Sequence, residues 1–85
     1  MQTISREFRG IPHFLLLEYL QEMGGELVDE DLVEGPGWTV RLSRIEPFRL
    51  GSLVIGQTRF DIKIEDDLIE DFFGLLNKKT LRAGA

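Results

Sequence analysis

From Gly37 to Ile64 the apolar residues fall at every second position. Trp38, Val40 and Leu42 alternate with Thr39, Arg41 and Ser43, and Phe60, Ile62 and Ile64 alternate with Arg59, Asp61 and Lys63. Successive side chains on a strand point to opposite faces, so this pattern predicts a sheet with one face buried and one face wet. Two segments with helical spacing bracket it, each with an apolar stripe that needs a surface to cover.

Taken in order, Thr3 to Phe8 reads as a first strand with Ile4 and Phe8 on one face. Arg6 shares that face, which fits an edge position where a long side chain reaches the rim and keeps its head in water. Pro12 suits a helix start, and helical spacing runs from there to Met23, with Leu16, Leu20 and Met23 in line and Leu15, Leu17 and Tyr19 widening the stripe. Gly24 fits the left-handed position just past the helix end. Glu26 to Glu34 changes phase at the acidic run Asp29-Glu30-Asp31; a single irregular strand is expected, against two short strands around a turn. Gly35-Pro36-Gly37 is a clear turn.

The next strand is expected from Trp38 to about Glu46, stopped or bent by Pro47, which has no amide to donate. Leu50 to Ile55 reads as a short strand with Leu53 and Ile55 facing inward. Gly56-Gln57-Thr58 reads as a turn, and Arg59 to Ile64 returns antiparallel. Glu65-Asp66-Asp67 opens a last helix, with Asp67 and Glu70 at capping-box spacing and acids at the positive end of the dipole. Leu68, Phe72, Leu75 and Leu76 form its predicted buried stripe, with Ile69 and Phe73 beside it. Lys78, Lys79 and Arg82 sit at its negative end, Leu81 is a candidate final anchor, and residues 82–85 are expected to fray.

Both helices and the sheet each have one oily side. The economical arrangement is α+β: an antiparallel sheet of four or five strands with two helices on one face, in the order β-α-β-β-β-β-α. In element order the chain resembles the β-α-β4-α unit of TATA-box-binding-protein-like and helix-grip domains. The segments Leu17-Glu18-Tyr19-Leu20, Gly24-Gly25 and Gly51-Ser52-Leu53-Val54-Ile55-Gly56 are similar to those of small uncharacterised bacterial domains. Neither resemblance implies an activity.

Length and composition narrow the class. Eighty-five residues make one domain. With no cysteine, thiol chemistry and sulfur-ligated zinc are excluded, and a cytoplasmic protein that relies on its core alone is expected. The start of the chain has no signal-peptide core, and the longest apolar run, Phe14 to Leu17, is far short of the about 20 residues that cross a bilayer. A net charge of −5, from 15 acidic and 10 basic side chains, disfavours generic nucleic-acid binding.

No catalytic, metal or nucleotide motif is present, so an enzyme is not expected and no cofactor is implied. His13 is the only histidine, and its first-turn placement predicts an exposed or capping role. The acids Asp29, Glu30 and Asp31 lack the alternate oxygen ligands and turn glycine of a calcium loop and read as a solvated edge. On the wet face, Arg41, Arg59 and Lys63 form a candidate binding patch for phosphate or carboxylate, interrupted by Asp61. Phe48 and Leu50, beside Pro47, either expose a partner interface or cap the open end of the sheet. The function expected is a small non-enzymatic interaction module that binds a protein partner or forms a homodimer, with anionic-ligand binding through Arg41, Arg59 and Lys63 as the alternative.

Overall fold

The computed structural model of the chain describes the backbone of residues 1–84 and the side chains of residues 1–81. Five strands form one antiparallel sheet: β1 (Gln2–Arg9), β2 (Glu26–Asp29), β3 (Leu32–Gly35), β4 (Trp38–Leu50) and β5 (Leu53–Ile64), in the spatial order β1-β5-β4-β3-β2. Two helices, α1 (His13–Glu22) and α2 (Ile69–Gly84), cover one face, and a short 3₁₀ turn, Asp66–Leu68, leads into the second. The α+β class and the order β-α-β-β-β-β-α are those the sequence predicts. The expected fray over 82–85 lies outside the residues whose side chains are described.

The register explains the alternation. Row by row, Ile4, Ile62, Val40, Val33 and Leu27 lie side by side across the sheet, and Arg6, Phe60 and Leu42 form the next row. Ile62, Val40, Val33, Phe60 and Leu42 of these rows are buried and make the core with Trp38, Ile64, Leu16, Leu20, Phe72, Phe73 and Leu76, while Ile4 packs against it and Leu27 at the edge is exposed. The helices face the same side. Trp38 meets Phe72 edge-on at 5.1 Å between ring centroids, Phe60 meets Phe73 at 6.3 Å, and Lys79 of α2 bonds Glu22 of α1 at 2.7 Å. Arg6 takes the rim position expected of it, its guanidinium 4.8 Å above the Phe73 ring.

Both helix ends follow local chemistry. At the end of α1, Gly24 has φ +96°, its amide donates to the Gln21 carbonyl, and the Gly25 amide donates back to Leu20, closing the last turn as a Schellman motif. The tryptophan also dictates a glycine. A Cβ on Gly35 would stand 2.2 Å from the Trp38 indole carbons, so only a residue without a side chain lets the ring lie flat across the β3–β4 turn.

The middle strands divide differently from the prediction. Glu26–Glu34 is two strands around a turn at Glu30-Asp31, where the Asp29 side chain accepts the Glu30 amide at 2.7 Å. Pro47 does not stop β4. It sits in a bulge, where the register shifts between Ile45 and Phe48 and no ladder amide is required. Nor do Gly56, Gln57 and Thr58 turn. The Gly56 carbonyl accepts the Gly10 amide at 2.9 Å, and Gln57 and Thr58 pair across β5 with both neighbours. The reversal lies at Gly51-Ser52, with Gly51 at φ +61°, the first loop position of a type II′ hairpin.

Several side chains depart from their expected places. Leu53, expected inward, is 56% exposed because the long hairpin carries it past the helices. Leu75 and Leu81 lie on the outer side of α2, at 46% and 67% exposure, so neither belongs to the stripe or anchors the end. The Asp67–Glu70 capping box does not form: the chain enters the 3₁₀ turn without any side-chain cap bond, held by the Leu68 amide on the Glu65 carbonyl.

Candidate interaction surfaces

Two surfaces stand clear of the core, and both belong to β4 and β5. Beyond Ile45 and Gln57 these strands leave the helices behind and continue as a two-stranded arm, which stretches the molecule to 42 × 25 × 21 Å. Along the arm Phe48 pairs with Ile55 and Leu50 with Leu53, which puts these four on one side; Arg49 and Val54 pair on the other. The Arg9 guanidinium stacks on the Phe48 ring at 4.0 Å and bonds the Gln57 side-chain oxygen at 3.0 Å, so the root of the arm is braced by β1. The tip has no such cover. Leu50, Leu53 and Val54 are 64%, 56% and 54% exposed.

The two loop residues singled out in the sequence therefore part company. Phe48 is half-buried beneath Arg9 and acts as a brace, while Leu50 is open to solvent. Leu53 and Val54 do not read as surface from the sequence, because a turn at Gly56-Gln57-Thr58, five residues past the actual reversal at Gly51-Ser52, leaves strand alternation to send Leu53 inward.

The second surface is the open face of the sheet. One row reads Thr3, Lys63, Thr39, Glu34 across β1, β5, β4 and β3; the next reads Ser5, Asp61, Arg41, Leu32. Of the three expected binding residues, Arg41 and Lys63 border one hollow of about 360 Å³ on this face, with Thr3, Leu32, Thr39, Asp61 and Ile62. Arg59 is turned away from it. Its Nε donates to both Asp61 oxygens, at 3.2 and 3.1 Å. The Ser5 hydroxyl also donates to Asp61, at 2.5 Å. That hydroxyl bond holds the Asp61 carboxyl below the usual carboxylate range, partial burial works against it, and the Arg59 bond and charge add to the lowering. Asp61 is thus a carboxylate tied toward β1. Arg41, directly opposite it in the ladder, and Lys63 have no acidic side chain within 4.0 Å among the described residues.

Thr3 and Thr39 escaped the sequence reading because a lone threonine on a strand carries no chemical signal. Only the register places them on either side of Lys63.

His13 is neither exposed nor a cap. It is mostly buried at the start of α1, with Nε2 2.9 Å from Asp31 Oδ1, and α1 begins with no side-chain cap bond. The acidic run is a turn rather than a strand face, and its last member lies beside that imidazole, whose buried Nε2 makes no hydrogen bond among the described residues. Among the described residues, no three histidine or acidic side chains converge on a point where a metal ion would sit, and no helix is long and apolar enough to cross a membrane.

No curated protein sequence matches the chain. The sequence profile of a family described as "Archaeal MoaD-like protein" matches residues 4–85, nearly the whole chain. The description names archaea, where the sequence resemblance pointed to bacterial domains.

Proposed function

This chain belongs to the archaeal MoaD-like protein family, and from that premise we infer that it works as a non-enzymatic interaction module, docking by its β4–β5 arm on a second copy of itself. The observation that carries this reading is the bare tip of the arm: Leu50, Leu53 and Val54 stand in solvent on an element that no helix covers. Leu50 and Leu53 are exposed together on one side of the tip, with Val54 on the other, and clustered exposure marks a contact surface.

A second copy offers a complementary seat. Strand β2 is the far edge of the sheet, with Leu27 and Val28 at 48% and 56% exposure, set among Glu26, Asp29 and Glu30. The arm carries Arg49 beside Val54 on the side away from the leucines, and Arg44 lies near its root. Apolar with basic meets apolar with acidic, and a two-fold pair makes that contact twice. The shared β-α-β4-α element order supports kinship with the helix-grip domains, and the lack of cysteine supports a cytoplasmic setting. With a single histidine and no thiol, the reading assigns no catalytic role.

Size-exclusion chromatography with light scattering, run from micromolar to millimolar protein, tests this. A concentration-dependent dimer is expected, reverting to monomer in the double variant Leu50→Arg, Leu53→Arg. A parent protein that stays monomeric throughout ends the second-copy reading.

A further inference from the structure

We propose that the open-face hollow between Arg41 and Lys63 is a binding site for a small phosphate-bearing molecule. It is separate from the arm and stands whether or not the chain dimerises.

The charge distribution is the starting point. The chain carries −5 overall, yet two cations on neighbouring strands border one hollow, and the carboxylate that lines it with them, Asp61, is ion-paired with Arg59 instead. Like charges on adjacent strands repel, and an anion held between them relieves that repulsion. The natural neutraliser is at hand and is withheld. Asp61 is the ladder partner of Arg41, but its oxygens are occupied by the Ser5 hydroxyl and the Arg59 guanidinium on the opposite side. Ser5 and Arg59 thereby act as positioning residues: by holding Asp61 toward β1 they leave Arg41 unpaired.

The donor set selects the anion. Arg41 offers a planar fork, Lys63 a compact ammonium, and Thr3 and Thr39, on either side of Lys63 in the same row, offer hydroxyls. These donors come from three strands and so approach from different directions. A carboxylate, flat and with two oxygens, cannot meet all of them; a tetrahedral phosphate presents oxygens to each. The hollow, at about 360 Å³, is at the small end of ligand pockets and has Leu32 as an apolar wall, which suits the organic part of a small phosphorylated compound. A nucleic-acid backbone fits poorly, because the surrounding charge is negative.

Backbone amide spectra recorded during a titration with inorganic phosphate test the proposal, with sodium chloride at matched ionic strength and sodium acetate as parallel titrations. Saturable shifts are expected at Thr3, Thr39, Arg41 and Lys63 with phosphate, weaker ones with acetate, and none with chloride. Each of Arg41→Gln and Lys63→Gln removes a charge-assisted contact and is expected to weaken phosphate binding about tenfold or more. Both side chains are exposed, so both variants keep the parent's spectral dispersion. No saturable shift with phosphate in the parent overturns the proposal, as do equal shifts with chloride, or affinity unchanged in both variants.

Discussion

At the scale of single residues, the most informative contacts are those that decide where a charge or a ring goes. Asp61 is the clearest. Its folded pKa is depressed, chiefly by the Ser5 hydroxyl, so it adds stability that is present above the unfolded value of about 3.9 and is lost as pH falls through the lower folded value. Ser5→Ala should raise the Asp61 pKa toward the ordinary range and move that acid loss to higher pH. Carboxyl-carbon titration by NMR reads it directly; an unchanged Asp61 midpoint would show that Ser5 does not hold the group. Gly35 is the second such residue. Gly35→Ala drives a methyl into the Trp38 ring and should cost about 1–3 kcal/mol or more in urea unfolding. A loss below ~0.5 kcal/mol would mean that the ring is not seated there. Neither role was legible beforehand. Asp61 read as a mere interruption of a basic patch and Gly35 as one residue of a turn, because both roles depend on partners that are distant in sequence.

At the scale of elements, periodicity sufficed wherever an element buries a full face. The α1 stripe, the Trp38–Val40–Leu42 face and the Phe60–Ile62–Ile64 face are all where alternation or helical spacing puts them. The pattern failed where the chain leaves the core. Past Ile45 both sides of the arm meet water, so burial no longer enforces alternation, and Pro47 and Gly56 looked like ends when each has a place within a strand. Helix α2 shows the same limit on a small scale. Spacing counts Leu75 into the stripe, but it is 46% exposed, while Phe72, Phe73 and Leu76 are buried and Ile69 packs against the core beside them. Phe72→Ala is therefore expected to cost about 3–5 kcal/mol, as deletion of a packed aromatic does, and Leu75→Ala less than about 0.5 kcal/mol. Chemical denaturation of the pair measures this; similar losses would contradict the orientation of the helix.

At the scale of the whole molecule, the fold separates three surfaces. Helices occupy one face, the opposite face keeps two cations clear of their nearest carboxylate, and a hairpin carries leucines and a valine beyond both. The layered arrangement was legible because it follows from the apolar stripes alone. The uses of its surfaces were legible only in part: Arg41, Lys63 and Leu50 were named from the sequence, whereas the threonines, Leu53 and Val54 needed the strand register. The charge pattern also gives the dimer a salt dependence. If basic arm meets acidic edge, added salt should weaken the association; strengthening by salt would point to an apolar contact alone.

The central claim is that the tip of the arm is a contact surface and not merely an exposed one. Methyl spectra of the leucines, isoleucines and valines, recorded while the protein is diluted, test it most directly. The account predicts shifts that change with concentration at Leu50, Leu53 and Val54 on the arm and at Leu27 and Val28 on β2, with the core methyls of Leu16, Leu42 and Ile62 unmoved. Spectra that do not change on dilution, or changes that avoid the arm, would contradict it.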